Sequence, residues 1–295
     1  IGGNGTAAAG RNFIANSTGG FNGAITVGTT ASGATVTIKS NIIGLAADLS
    51  TAAANASDGI YLTGAANYTV GSNGDGTNDS TEYNVVSNGT ANGIYVGNGP
   101  LTAIIAGNII GLASANSGST WTTAAANGTS AAAGSKNGIK IASNSLTALT
   151  IGGDATEERN VIASNPEDGI KISDAGSAIA YTIRNNYIGL ASDGSTDRGN
   201  SEGGMDIDDG GAITLTDNVV SNNDVHGVDI SAGTSLVAKG NKLGTTATGI
   251  VAAGNIGSGL TIAASTMTDV DIGGSASGEG NTIAANTTQA VTGYG

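Results

Sequence analysis

The chain has 295 residues, of which 50 are Gly, two are Pro and none is Cys; aromatic residues make up 3% and charged residues 11%. Ten Lys and Arg against 23 Asp and Glu leave a net charge of −13. Such a surface repels phosphate backbones and anionic membranes, so it excludes nucleic acid as a partner and favours cations, calcium foremost. The absent Cys rules out disulfides and thiolate metal sites, and no apolar run reaches the length that crosses a bilayer.

In chain order, Asn followed by an apolar pair recurs at Asn12, Asn41, Asn84, Asn108, Asn160, Asn186 and Asn218, and with a polar residue first in the pair at Asn241 and Asn281, a mean period of about 34 residues. Two flavours alternate. RNFIAN, YNVVSN, RNVIASN, DNVVSN and GNTIAAN are of one kind; SNIIGLA, GNIIGLA, NNYIGLA and GNKLGTT are of the other. Interleaved with them runs Gly-apolar-x-apolar: GAITV at 23–27, then GIYL at 59, GIYV at 93, GIKI at 138 and 169, GMDI at 204, GVDI at 227 and GLTI at 259. Alternation with period two in short pieces predicts strands rather than helices, one of each kind per unit. After the first flavour a short corner leads to the next Gly; after the second comes a long loop, longest at 112–137. A Thr column, Thr37, Thr69, Thr150, Thr182 and Thr214, precedes the Asn motif and is broken by Ile104 and Asp271.

Units of this size suit a coil whose turns stack in parallel, with Ile, Val and Leu pointing inward. Gly permits close corners, and recurrent Asn suits left-handed bends and amides that bond from turn to turn. The stretches IGGNGTAAAGRNFIAN, IGGDATEERNVIASN and IGGSASGEGNTIAAN, followed by NxIGLA and GIxI, resemble the right-handed parallel β-helix repeats of bacterial surface and adhesin-type proteins, a pectate-lyase-like coil. The resemblance spans nearly the whole chain. It implies an all-β, right-handed parallel β-helix solenoid of about nine coils, with short corners and long loops alternating, over a single domain at 1–295. For function it is permissive, because stalks, surface layers and polysaccharide lyases or hydrolases share the coil.

Within each GIxI strand the x position faces outward, giving Thr26, Tyr61, Tyr95, Lys140, Lys171, Asp206, Asp229 and Thr261 in one column. As a solubilising face it needs no ligand; as a glycan-contacting strip it would use Tyr61, Tyr95 and Lys140, with Trp121 of the long insertion as a further anchor. The enzyme alternative is a polysaccharide lyase or glycoside hydrolase acting on an acidic glycan. It gathers Lys171, Asp206, Asp208, His226 and Asp229 on adjacent turns, since paired carboxylates can protonate a glycosidic oxygen and activate water. His226 also stands in the column before the corner Gly, where Asp58, Asn92, Asn137 and Asp168 read as turn formers. Two acidic loops offer oxygen ligands for calcium: Asn73, Asp75, Asp79 and Glu82 in SNGDGTNDSTE, and the DATEER segment at 154–159. No cofactor is required, and calcium is the candidate ion.

Neither terminus carries a capping helix or charged cap, so the expectation is self-association through open coil ends, or a segment of a longer rod. The favoured function is non-enzymatic: an extracellular or cell-surface shaft, or a head-to-tail filament, with extracellular polysaccharide as a second candidate partner.

Overall fold

The computed structural model describes residues 1, 10–18, 22–28, 31–116, 118, 120–129, 135–173 and 179–293. Most of the IGGNGTAAAG stretch, at 2–9, and the last two residues of AVTGYG lie outside the described residues. The chain winds as a parallel β-helix solenoid of about nine rungs. One nine-stranded sheet is built from the Asn motifs, from Asn12–Ile14 to Thr282–Ile283, and a second from the Gly motifs, from Gly23–Val27 to Val291–Gly293. Both expected strand types form, in the expected register: Ile139 pairs with Ile170 and Ile170 with Met205.

The expectation of two strands per unit is corrected by a third sheet of eight strands, from Ala34–Ile38 to Asp269–Ile272. The Thr column lies on its outer side, with Thr37 paired to Thr69 and Thr150 to Thr182. Its inward positions hide the repeat because their sizes vary from rung to rung: Tyr68, Ala103, Leu149, Tyr181, Ile213 and Leu236 are all buried in equivalent places. The Tyr68 hydroxyl reaches the Gly64 carbonyl at 3.1 Å, so a phenol fits this core with its polar tip bonded.

The apolar pair after seven of the nine ladder Asn has a physical reason. In the Asn sheet, Ile43, Val86, Ile110 and Ile162 point into the coil, while Ile42, Val85, Ile109 and Val161 point outward into a second core. Long loops cover that outer face over these rungs, so both faces are buried and both positions are apolar, whereas Lys242 and Thr282 take the outward position near the end of the coil. The insertion contributes an antiparallel hairpin, Leu112–Ser114 with Trp121–Ala124, and Trp121 packs in this outer core at 5% exposure.

The Asn motif forms a continuous amide ladder. Each side-chain N–H donates to the Oδ1 of the next rung: Asn12 to Asn41, then Asn84, Asn108, Asn160, Asn186, Asn218, Asn241 and Asn281, at 2.8–3.1 Å. The left-handed bend belongs not to these Asn but often to the residue before, as at Ser40, Gly107, Asn185, Asp217 and Gly240. A second ladder, absent from the sequence reading, runs through Asn127, Asn165, Asn200, Asn223, Asn255 and Asn286.

Candidate functional site

The outward column of the Gly sheet stands as the sequence ordered it: Tyr61 beside Tyr95, then Lys140, Lys171, Asp206, Asp229 and Thr261 on successive rungs. Tyr61 and Tyr95 stack on each other, with centroids 5.1 Å apart and planes 13° apart. Lys171 lies between two carboxylates of the next rung, in ion pairs with Asp206 and, at 2.6 Å, Asp208. Ser231 donates to the other oxygen of Asp208 at 3.0 Å. Burial opposes the Lys171 ammonium, but the two carboxylates outweigh it and hold its pKa above the ordinary lysine value. Burial drives Asp206 up to about 6. Asp208 is more exposed, and its bond to Lys171 overcomes its own burial, so it stays below the usual carboxylate range.

The column one residue before the corner Gly carries more than turn formers. Asn92 donates from its backbone and its amide to Asp58 Oδ1 at 2.9 and 3.0 Å, and Asn137 does the same to Asn92 at 3.0 and 3.1 Å. The Asp168 backbone N–H donates to Asn137, and that of Gly203 donates to Asp168 Oδ1 at 2.8 Å. Gly203 has no side chain to continue the ladder. The imidazole of His226, one rung on, fills the vacancy: a Cβ on Gly203 would lie 2.1 Å from His226 Nε2. Asp168, Asp206 and His226 thereby come together, each offering a ligand atom within 4.8 Å of the others. Sequence reasoning placed Asp206 and His226 here but left Asp168 among turn residues; the signal it passed over was the missing side chain at Gly203, between Asp168 and His226.

Burial raises Asp168 to about 7, with the charge of Asp206 adding to the effect, and burial lowers His226. His226 Nε2 and Asp229 Oδ1 are buried without hydrogen-bond partners. Chemically, the cluster can take up a proton or a cation, and the single charge of Lys171 is shared between Asp206 and Asp208.

Asp58, at the head of this ladder, gives a pH test far from the cluster. It is 7% exposed, and burial raises it to about 6 despite its bonds from Asn92 and the charge of Lys140. A raised carboxyl pKa means that the folded chain holds this proton more tightly than the unfolded chain, whose value is about 3.9. Relative to the protonated acid, the group costs nothing below about pH 4; stability is lost as pH rises to about 6, and the full cost remains at neutrality. Asp58→Asn keeps the acceptor for Asn92 and removes the charge. It should stabilise the protein by about 3 kcal/mol at pH 7 and leave stability unchanged at pH 3, read by denaturant unfolding at both values. An equal effect at both pH values would refute the account.

In the acidic loop at 72–82 the carboxylates accept bonds from within the loop, while Asp79 Oδ1 is buried without a partner. Asp75 accepts from Thr77 N at 2.7 Å and Asn73 Nδ2 at 2.9 Å, and Asp79 accepts from Gly76 N at 2.9 Å. Glu82 is 1% exposed, pairs with Lys39 at 2.5 Å and accepts from Asn73 N at 3.2 Å. Its partners turn it inward toward the rod rather than toward a shared ion. In DATEER, Glu158 accepts from Ala155 N at 2.8 Å, while Arg159 lies over the Tyr187 ring, 4.1 Å from its centroid.

Trp121 meets the ring of Tyr83 edge-on at 6.2 Å, and Arg11 covers Tyr83 at 3.7 Å. Asp79, Tyr83, Trp121, Glu157, Arg159 and Ser192 line a cleft of about 370 Å³. At 5% exposure the indole is chiefly packing that holds the insertion to the rod. No helix among the described residues is long and apolar enough to cross a membrane. No protein-family model, curated protein or solved structure matches this chain.

Proposed function

We propose that the chain is a non-enzymatic structural shaft, secreted or displayed on a bacterial surface in the manner of an adhesin stalk, whose rods join head to tail through their coil ends. The observation that carries this reading is the polarity of the amide ladders. Every link of the first ladder donates from its lower-numbered rung to the higher, and so does every link of the second. Each ladder therefore has one polarity along the coil, so copies that stack on the coil axis would continue their ladders only head to tail.

The apolar core favours the same joint. Its partly buried members, Ile14, Ala24, Val27, Ala34, Val36, Ile262, Met267 and Ile283, all lie in the first and last described rungs. Strand edges with one neighbour invite a further strand. The ion pairs that Lys171 makes with one oxygen of Asp206 and one of Asp208 tie adjacent rungs together, which fits a structural role.

Electron microscopy of the purified chain, with and without calcium, tests the reading. Filaments are expected, with an axial repeat of roughly 40 Å for nine rungs at the strand spacing. Phe13→Glu with Val291→Glu, both on exposed end strands, should return them to single rods. Single short rods of the unaltered chain at every concentration would overturn self-assembly.

A further inference from the structure

We propose that Asp168, Asp206 and His226 form a binding site for one divalent transition-metal ion of the zinc class. The three ligands come from three successive rungs, and their donor atoms lie within 4.8 Å of one another. Two carboxylate oxygens and one imidazole nitrogen are a donor set suited to zinc, cobalt or nickel, and poorer for calcium, which takes oxygen ligands only.

The site is built, not a chance meeting of surface acids. In a parallel coil, equivalent positions two rungs apart are separated by about 9.6 Å, too far for side chains to share an ion without a gap between them. Gly203 supplies that gap. It occupies the rung between Asp168 and His226, and any Cβ there would collide with His226 Nε2 at 2.1 Å. The nitrogen that enters the gap is buried and has no hydrogen-bond partner, an arrangement that wastes a strong acceptor or donor unless something binds it.

Each carboxylate also has a second oxygen to offer. Asp168 uses Oδ1 on the Gly203 backbone N–H, and Asp206 uses Oδ2 on Lys171. These bonds orient the ligands in the way that surrounding hydrogen bonds orient metal-binding side chains generally. Asp208 shares the Lys171 ammonium, drawing its charge toward the outer side of the cluster.

The inference is independent of end-to-end assembly, since all three residues sit in interior rungs. Cobalt(II) and zinc(II) are titrated into the metal-stripped full chain, following the visible absorption of cobalt and the heat of binding of zinc. One ion per chain is expected, with a cobalt spectrum of low-symmetry, four- or five-coordinate type. His226→Gln and Asp168→Asn should each weaken binding about tenfold or more. Gly203→Ala should do the same by pushing the imidazole aside, with all three ligands still present. Asp154→Asn, an exposed acid elsewhere, should change nothing. Circular dichroism identifies any variant that fails to fold; in that case, zinc should raise the melting temperature of the unaltered chain but not that of whichever ligand variant folds. Absence of binding, or affinity unchanged in the folded ligand variants, would overturn the site.

Discussion

Asn160→Ala should lower the stability of the rod by about 4 kcal/mol, although it removes neither a charge nor a large apolar group. Asn160 is fully buried and makes four side-chain hydrogen bonds. Its Oδ1 accepts from Asn108 N at 2.9 Å and Asn108 Nδ2 at 3.0 Å; its Nδ2 donates to Ile105 O at 2.7 Å and Asn186 Oδ1 at 2.9 Å. Truncation affects these partners unequally. The Asn108 amide keeps Val70 O and Ala106 O, Ile105 O still accepts from Gly152 N, and Asn186 Oδ1 still accepts from Asn160 N. The Asn108 backbone N–H has no such reserve and is left buried and unsatisfied, which alone costs about 1–3 kcal/mol.

Asn160→Asp separates ladder bonding from simple bulk. A carboxylate there keeps the acceptor for Asn108 but turns its other oxygen toward the Ile105 and Asn186 acceptors. Its pKa in the folded chain should rise, so that variant should recover stability as pH falls and lose it as pH rises. Asn67→Ala, whose amide bonds at the solvent side of the third sheet to Gly33 O and from Thr102, should cost about 1 kcal/mol. Because rungs contact only their neighbours, a break near the middle can also split one denaturant transition into two. A loss below about 1 kcal/mol for Asn160→Ala would show that the ladder follows the coil rather than holding it.

The parts of this structure legible in the sequence are those in which one residue type does one job on every rung. The ladder Asn and the corner Gly are such positions, since a short amide donates and accepts along the column and Gly alone lets two backbones approach so closely. The third sheet escaped because its inward column asks only for apolar volume: Tyr181 can follow Leu149, and Ala238 can follow Leu215, where neighbours compensate. The second Asn ladder escaped because no common neighbours mark it: Asn165 precedes Pro166, Asn200 precedes Ser201 and Asn255 precedes Ile256. The first, spaced no more evenly at 23 to 52 residues, is marked by the residues that follow each Asn. The cluster at His226 was half legible. Asp206 announced itself through the outward column, whereas Asp168 becomes a partner only because Gly203 is empty, a relation between three rungs.

The repeated IGG leads to the second large effect: Gly152→Ala should prevent normal stacking at its rung, costing about 4 kcal/mol or more, while Gly76→Ala should cost about 1 kcal/mol. Both glycines hold positive φ, +87° at Gly152 and +77° at Gly76, so both substitutions pay a similar backbone penalty. They differ in what lies beyond the α-carbon. A Cβ at Gly152 would stand 1.9 Å from Arg184 O and within 3 Å of both polar atoms of the Asn186 amide; at Gly76 nothing lies within 4 Å. Arg184 O is backbone and cannot swing aside, so the rungs must separate. That movement pulls on Asn186, whose amide bonds Ile151 O and Arg184 O at 2.9 Å. The damage therefore passes from a steric contact to the ladder. Melting temperatures of the two variants measure the difference directly, and the backbone term cancels between them. Near-equal losses would mean that the turn conformation alone explains the IGG motif; a large excess at Gly152 would place its cause in the close approach of successive rungs.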